Sequence, residues 1–195
     1  MNKSRKISLI NICFILGCIF ITGAVALMIW WQVSAGIYAG RIDTYLEKIT
    51  SLMPPPQPAV LEERTDNRMP SLNVDGNDFV GILEFEEAGC SFPVGSDWGK
   101  SQQFPCRYYG SVYDGSLVVG ATNQNGQITF VKELSVGDTI YFTDMTGNRY
   151  RYSITDIIYR DHADNGDLIS DTVDLSLFIK NIYAFEYIII KCNIA

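Results

Sequence analysis

The sequence predicts an all-β domain carried on one N-terminal transmembrane helix. Two observations predict it. One is an uncharged apolar run near the N-terminus. The other is a succession of short β-prone segments, separated by glycine and aspartate turns, from Asp78 to the end of the 195-residue chain.

The apolar run is ISLINICFILGCIFITGAVALMIWW, residues 7–31. At about 1.5 Å per residue it reaches roughly 37 Å, enough to cross a hydrocarbon core of about 30 Å with some tilt. A domain this small cannot cover such a helix on all sides, which argues against a buried soluble helix. Lys3, Arg5 and Lys6 precede it, and Trp30 and Trp31 close it as interfacial anchors. Positive charge stays inside, so residues 1–6 form a cytoplasmic tip and the rest of the chain is extracellular. Val33-Ser34-Ala35 would serve as a signal-peptide cleavage site. The length of the run favours an uncleaved anchor instead.

Residues 32–53 place Ile37, Ile42, Tyr45, Leu46 and Ile49 at helical spacing, which predicts a stalk helix continuing the anchor. Pro54-Pro55-Pro56 stops it, because consecutive prolines cannot donate helical hydrogen bonds. Residues 54–77 are proline-rich and polar and read as a linker.

Residues 78–195 then switch to strands. FVGILEF (79–85) and SLVVGAT (116–122) are apolar runs, and DTIYFTD (138–144) alternates. NRYRYSITDIIYR (148–160) sets Tyr150, Tyr152 and Ile154 against Arg149, Arg151 and Ser153. TVDLSLFI (172–179) and EYIIIKC (186–192) complete the chain. Strands at this spacing indicate a barrel or sandwich with one core.

The net charge of −7 excludes a basic nucleic-acid footprint, so no nucleic-acid partner is expected. Cys13 and Cys18 fall in the span, and Cys90, Cys106 and Cys192 lie outside, where disulfides are permitted. Cys90 and Cys106 flank one segment and could be bridged, or both could be free thiols. With one histidine, His162, and no CxxC pair, no metal site and no cofactor are expected.

In order, FVGILEF with Phe92-Pro93-Val94, FPCRYYGS (104–111), VKELSVGDTIYFTDMTGNRYRYSITDI (131–157) and DLSLF (174–178) resemble the sortase family, the membrane-anchored cysteine transpeptidases of Gram-positive surfaces. The resemblance spans roughly residues 79–192 and implies a sortase-like β-barrel. It also implies a site in which a cysteine thiolate attacks the carbonyl of a sorting signal, a histidine protonates the leaving amine and an arginine steadies the charge that develops.

Carried over position by position, the histidine falls on Ala121, after Gly120. The cysteine falls on Lys180, after Leu175–Ile179, and the arginine falls on Tyr187. All three are substituted, so the resemblance implies a catalytically inactive relative. Such a chain would have a binding or accessory role, with a surface-protein sorting peptide or another cell-surface protein as partner. A second alignment keeps Cys192 as the nucleophile after YIIIK (187–191), in an active cysteine transpeptidase. It leaves DLSLF unexplained and no room for an arginine strand.

Other residues weigh less. Lys180 acts as a nucleophile only if burial depresses its pKa far below about 10.4. His162 reads as a solvated residue in RDHADNG, or as a substitute proton donor if its loop folds over the cleft; DHADNGD (161–167) reads as a turn, with a weak calcium loop lacking the terminal glutamate as the alternative.

Overall fold

The computed structural model describes residues 9–59, 66–99, 103–123, 128–162, 164–170, 172–181 and 184–195. The tip at residues 1–6 lies outside them. Helix α1 runs unbroken from Leu9 to Leu52, so anchor and stalk are one element. Its first half exposes apolar side chains all round, among them Phe14, Phe20, Leu27 and Trp30. It is long and apolar enough to cross a membrane.

The second half of α1 does something different. Tyr38, Ile42, Tyr45, Ile49 and Met53 form one stripe at three- and four-residue spacing, and this stripe packs into the main core. Ile49 is fully buried. The Tyr45, Phe79 and Phe104 rings pack mutually with centroids 5.0 to 5.4 Å apart. Polar contacts frame the stripe: Tyr38 donates to the Gln103 carbonyl, and Lys48 pairs with Asp75 at 2.5 Å.

The segment expected to be a linker is partly built into the sheet. Strand β1 (Gln57–Pro58) pairs in parallel with β8 (Asn148–Arg160), through Gln57 N–H to Gly147 O at 2.9 Å and Ala59 N–H to Arg149 O at 3.0 Å. Prolines tolerate this because an edge strand donates on one side only. Gly147 lies at φ +85°, and a Cβ there would stand 3.1 Å from the Pro54 and Pro55 carbonyls. Strand β2 (Leu72–Val74) forms a hairpin with β3 (Asn77–Phe85) through Asp75 and Gly76, both at positive φ.

The remaining strands are β4 (Cys90–Gly95), β5 (Cys106–Tyr109), β6 (Leu117–Thr122), β7 (Thr139–Asp144), β9 (Leu175–Asn181) and β10 (Glu186–Ile194). Pairing runs β8-β10-β9-β6-β5-β4-β3, and β7 joins β3 back to β8, which closes an eight-stranded barrel. Alternate residues fill it. Tyr150, Tyr152 and Ile154 point in from β8, as their period-two spacing predicts, with Val119, Leu177 and Ile190 from the strands opposite.

A second apolar cluster covers the outside of β6, β9 and β10. Val118, Phe178 and Ile189 face outward there under Leu168, Trp98 and Tyr187. Gly120 makes room for it, since a Cβ would lie 2.3 Å from Phe178 Cζ.

Candidate functional site

Strand register decides which residues meet. Strands β9 and β10 are antiparallel with Lys180 directly opposite Tyr187, and β6 runs parallel to β9 with Ala121 beside Ile179 and Thr122 beside Lys180. Residues in register share a face, and neighbours along a strand alternate. Lys180 and Tyr187 therefore stand together on the outer face. Ala121, 6% exposed, belongs to the inner face and lines a small apolar cavity with Phe85, Val119, Leu177 and Ile179. Two of the three predicted positions meet, and the third does not join them.

The outer face carries a cleft of about 530 Å³. Lys180, Asn181, Glu186 and Tyr187 line it from the ladder, with Asp161, His162 and Phe185 from flanking turns. His162, which reads from the sequence as a solvated loop residue unless its loop folds over the cleft, is exposed and lies in this wall. Strand β8 brings it there: Arg160 is the ladder partner of Tyr187, so the chain leaves β8 at the height of the cleft.

Glu186 is engaged, accepting from Asn181 Nδ2 at 3.4 Å and pairing with Lys132 Nζ at 3.4 Å. Phe185 precedes it at φ +53°, with its ring 85% exposed. Lys180 is itself exposed, the opposite of the burial that would make its amine a nucleophile.

The thiols lie elsewhere. Cys192 is fully buried, opposite Leu175 on β9 and Ile154 on β8, and burial raises its pKa. It stands five residues along β10 from Tyr187, about 17 Å at strand rise. Cys106 is also buried. Burial pushes its thiol up to about 11, opposed by the hydrogen bond from Gly95 N–H. Neither has the cationic, exposed setting that makes a reactive thiolate.

The bridge considered between Cys90 and Cys106 is not formed; both are free. Cys90 opens β4, whereas Cys106 pairs with Gly95 at its other end. A whole strand separates them, about 17 Å, far beyond the Cα separation of about 6 Å that a disulfide spans. No group of metal-ligating side chains occurs among the described residues.

Solved structures share this barrel. A Clostridium perfringens sortase D5 transpeptidase superposes with a TM-score of 0.53 at 15% identity, over 61% of this chain and 81% of that one. Sortase C-3 from Streptococcus pneumoniae gives 0.53 at 15% identity, over 83% of each chain. The fold is sortase-like. Sortase C1 from Streptococcus agalactiae gives 0.52 at 15% identity, over 63% and 70% of the two chains. No family model matches the sequence, and no curated protein does. At these identities the likeness is one of fold, and the sortase-like barrel is judged by its own residues.

Proposed function

We propose that this chain is a membrane-anchored, extracytoplasmic sortase-like protein that has lost transpeptidase chemistry and serves as a binding or accessory component at the cell surface. One observation carries the reading: no thiol stands on the cleft. Lys180 faces Tyr187 there, while Cys106 and Cys192 are buried with raised pKa values. An acyl-enzyme needs an accessible thiolate, a proton donor and a charge stabiliser together, and removing one such group typically costs about three orders of magnitude or more. Transpeptidation through Cys192 would require opening the barrel core to substrate.

The apolar helix, the basic residues before it and the paired tryptophans support a single-pass anchor with the barrel outside. A surface-protein sorting peptide or a second surface protein is then the natural partner.

The test is to incubate the full-length chain with sorting-signal peptides and examine each cysteine by mass spectrometry. No thioester and no cleaved peptide are expected. An acyl group on Cys192 would overturn the loss of chemistry.

A further inference from the structure

The cleft over the β9–β10 ladder holds three hydrogen-bond donors without an acceptor among the described residues. Lys180 Nζ makes no ion pair, and neither the Tyr187 hydroxyl nor the His162 ring has a hydrogen-bond partner among the described residues. One of the two carboxylates on the wall, Glu186, is already engaged by Lys132 and Asn181. The other, Asp161, accepts from no donor among the described residues. Two aromatic rings complete the surface. Tyr187 is half-buried, and Phe185 is held out at the rim in a left-handed backbone conformation that an L-residue rarely adopts. An exposed apolar ring in a strained conformation marks a place where the surrounding structure imposes a geometry, a common feature of ligand clamps.

We infer that this cleft binds the C-terminal carboxylate of a peptide whose last side chain is apolar, with Lys180 reading the carboxylate and Phe185 and Tyr187 holding the side chain. The inference rests on the reading that this face binds rather than catalyses. The chemistry selects among anions. A carboxylate is an acceptor suited to each of these donors, ammonium, phenol and imidazole, and hydrogen bonds to a charged group are the strong ones. Asp161 repels a bare polyanion such as phosphate. It also offers an acceptor to an N–H, and a peptide end carries an N–H beside its carboxylate. The two rings give an apolar side chain a place to lie, for which an inorganic ion has no use. The charge and the aromatic walls together specify a peptide end, and neither does so alone.

The experiment uses the full-length chain in detergent micelles and two probes, N-acetyl-Gly-Gly-Phe with a free carboxylate and the same peptide as its C-terminal amide. Binding is followed by calorimetry. The acid should bind about ten-fold or more tighter than the amide, the factor expected of one charge-assisted hydrogen bond. Lys180→Gln should abolish that preference, and Lys180→Arg should keep most of it. Phe185→Gly relieves the strained φ and should weaken acid and amide alike. Equal binding of acid and amide to the unaltered chain would overturn the inference. So would a preference that survives Lys180→Gln, competition by inorganic phosphate as effective as the acid, or no binding of either peptide at millimolar concentration. None of these results produces an acyl-thioester, so failure here is distinguishable from failure of the proposed loss of chemistry.

Discussion

Tyr113 donates its phenolic hydrogen to Asp144 Oδ2 at 2.9 Å and so ties the loop before β6 to the turn between β7 and β8. Asp144 is fully buried and saturated. It also accepts from Thr146 N–H at 2.8 Å, Thr146 Oγ1 at 2.7 Å and Asn148 N–H at 3.0 Å. Asp144→Ala strips the partner from several donors at once and should cost about 3 kcal/mol or more, whereas Tyr113→Phe should cost about 1–2 kcal/mol. Urea unfolding of both variants and the double variant measures this. The two losses should fall short of adding, since the residues share one bond.

The stalk half of α1 is a structural part of the barrel. Ile49 is fully buried and Ile42 nearly so, in the same core as Phe79 and Phe104. Ile49→Ala should destabilise by about 2–5 kcal/mol, the range for a large-to-small change in a packed core. Exposed Ile37→Ala, on the same helix, should change stability by less than about 0.5 kcal/mol. Thermal unfolding distinguishes a docked helix from a free stalk, for which the two variants would behave alike.

Buried thiols give the protein an alkaline limb. Cys106 ionises near 9.0 when unfolded and near 11 when folded, because burial disfavours its thiolate. Below pH 9 the thiol is protonated in both states and the contribution is complete. As pH rises from 9 towards 11, the unfolded chain releases the proton first, and stability falls. Cys192, raised for the same reason, adds to the loss. Cys106→Ala should flatten the decline in this window by up to one proton's worth, about 1.4 kcal/mol per pH unit. Unfolding free energies at several alkaline pH values read the slope. An unchanged slope would show that Cys106 is not shielded from water.

Much of the architecture is legible in the sequence because period-two patterning reports one dry face. Tyr150, Tyr152 and Ile154 are the clear case. The apolar runs of β6 and β9 read only as buried strands, with no preferred face, because Val118 and Phe178 are covered outside while Val119 and Leu177 are covered inside. The short strands at 57–58 and 72–74 sit in polar, proline-rich sequence and are held by backbone hydrogen bonds, which leave no side-chain pattern. Asp75-Gly76 was a usable hairpin signal there. The parallel register of β6 on β9 has no local signature, since no short turn joins the two strands. It alone separates Ala121 from Lys180.

That register makes the sharpest prediction about the site. Lys180 and Tyr187 are cross-strand partners, so Lys180→Cys with Tyr187→Arg sets a guanidinium beside a thiol on the outer face. A nearby cation favours thiolate. The new cysteine should react several-fold faster with an alkylating probe near neutral pH than in Lys180→Cys alone, where Tyr187 offers no charge. Adding Ala121→His should bring no further gain, because position 121 faces the apolar interior beside Phe85 and Leu177. A larger polar side chain there should lower stability by about 1–3 kcal/mol or more through overpacking. Mass-spectrometric labelling rates of the single, double and triple variants measure this directly. Equal rates in the single and double variants would show that the two side chains do not meet. A further acceleration in the triple variant would mean that residue 121 reaches the outer face, and the β6–β9 register described here would be wrong.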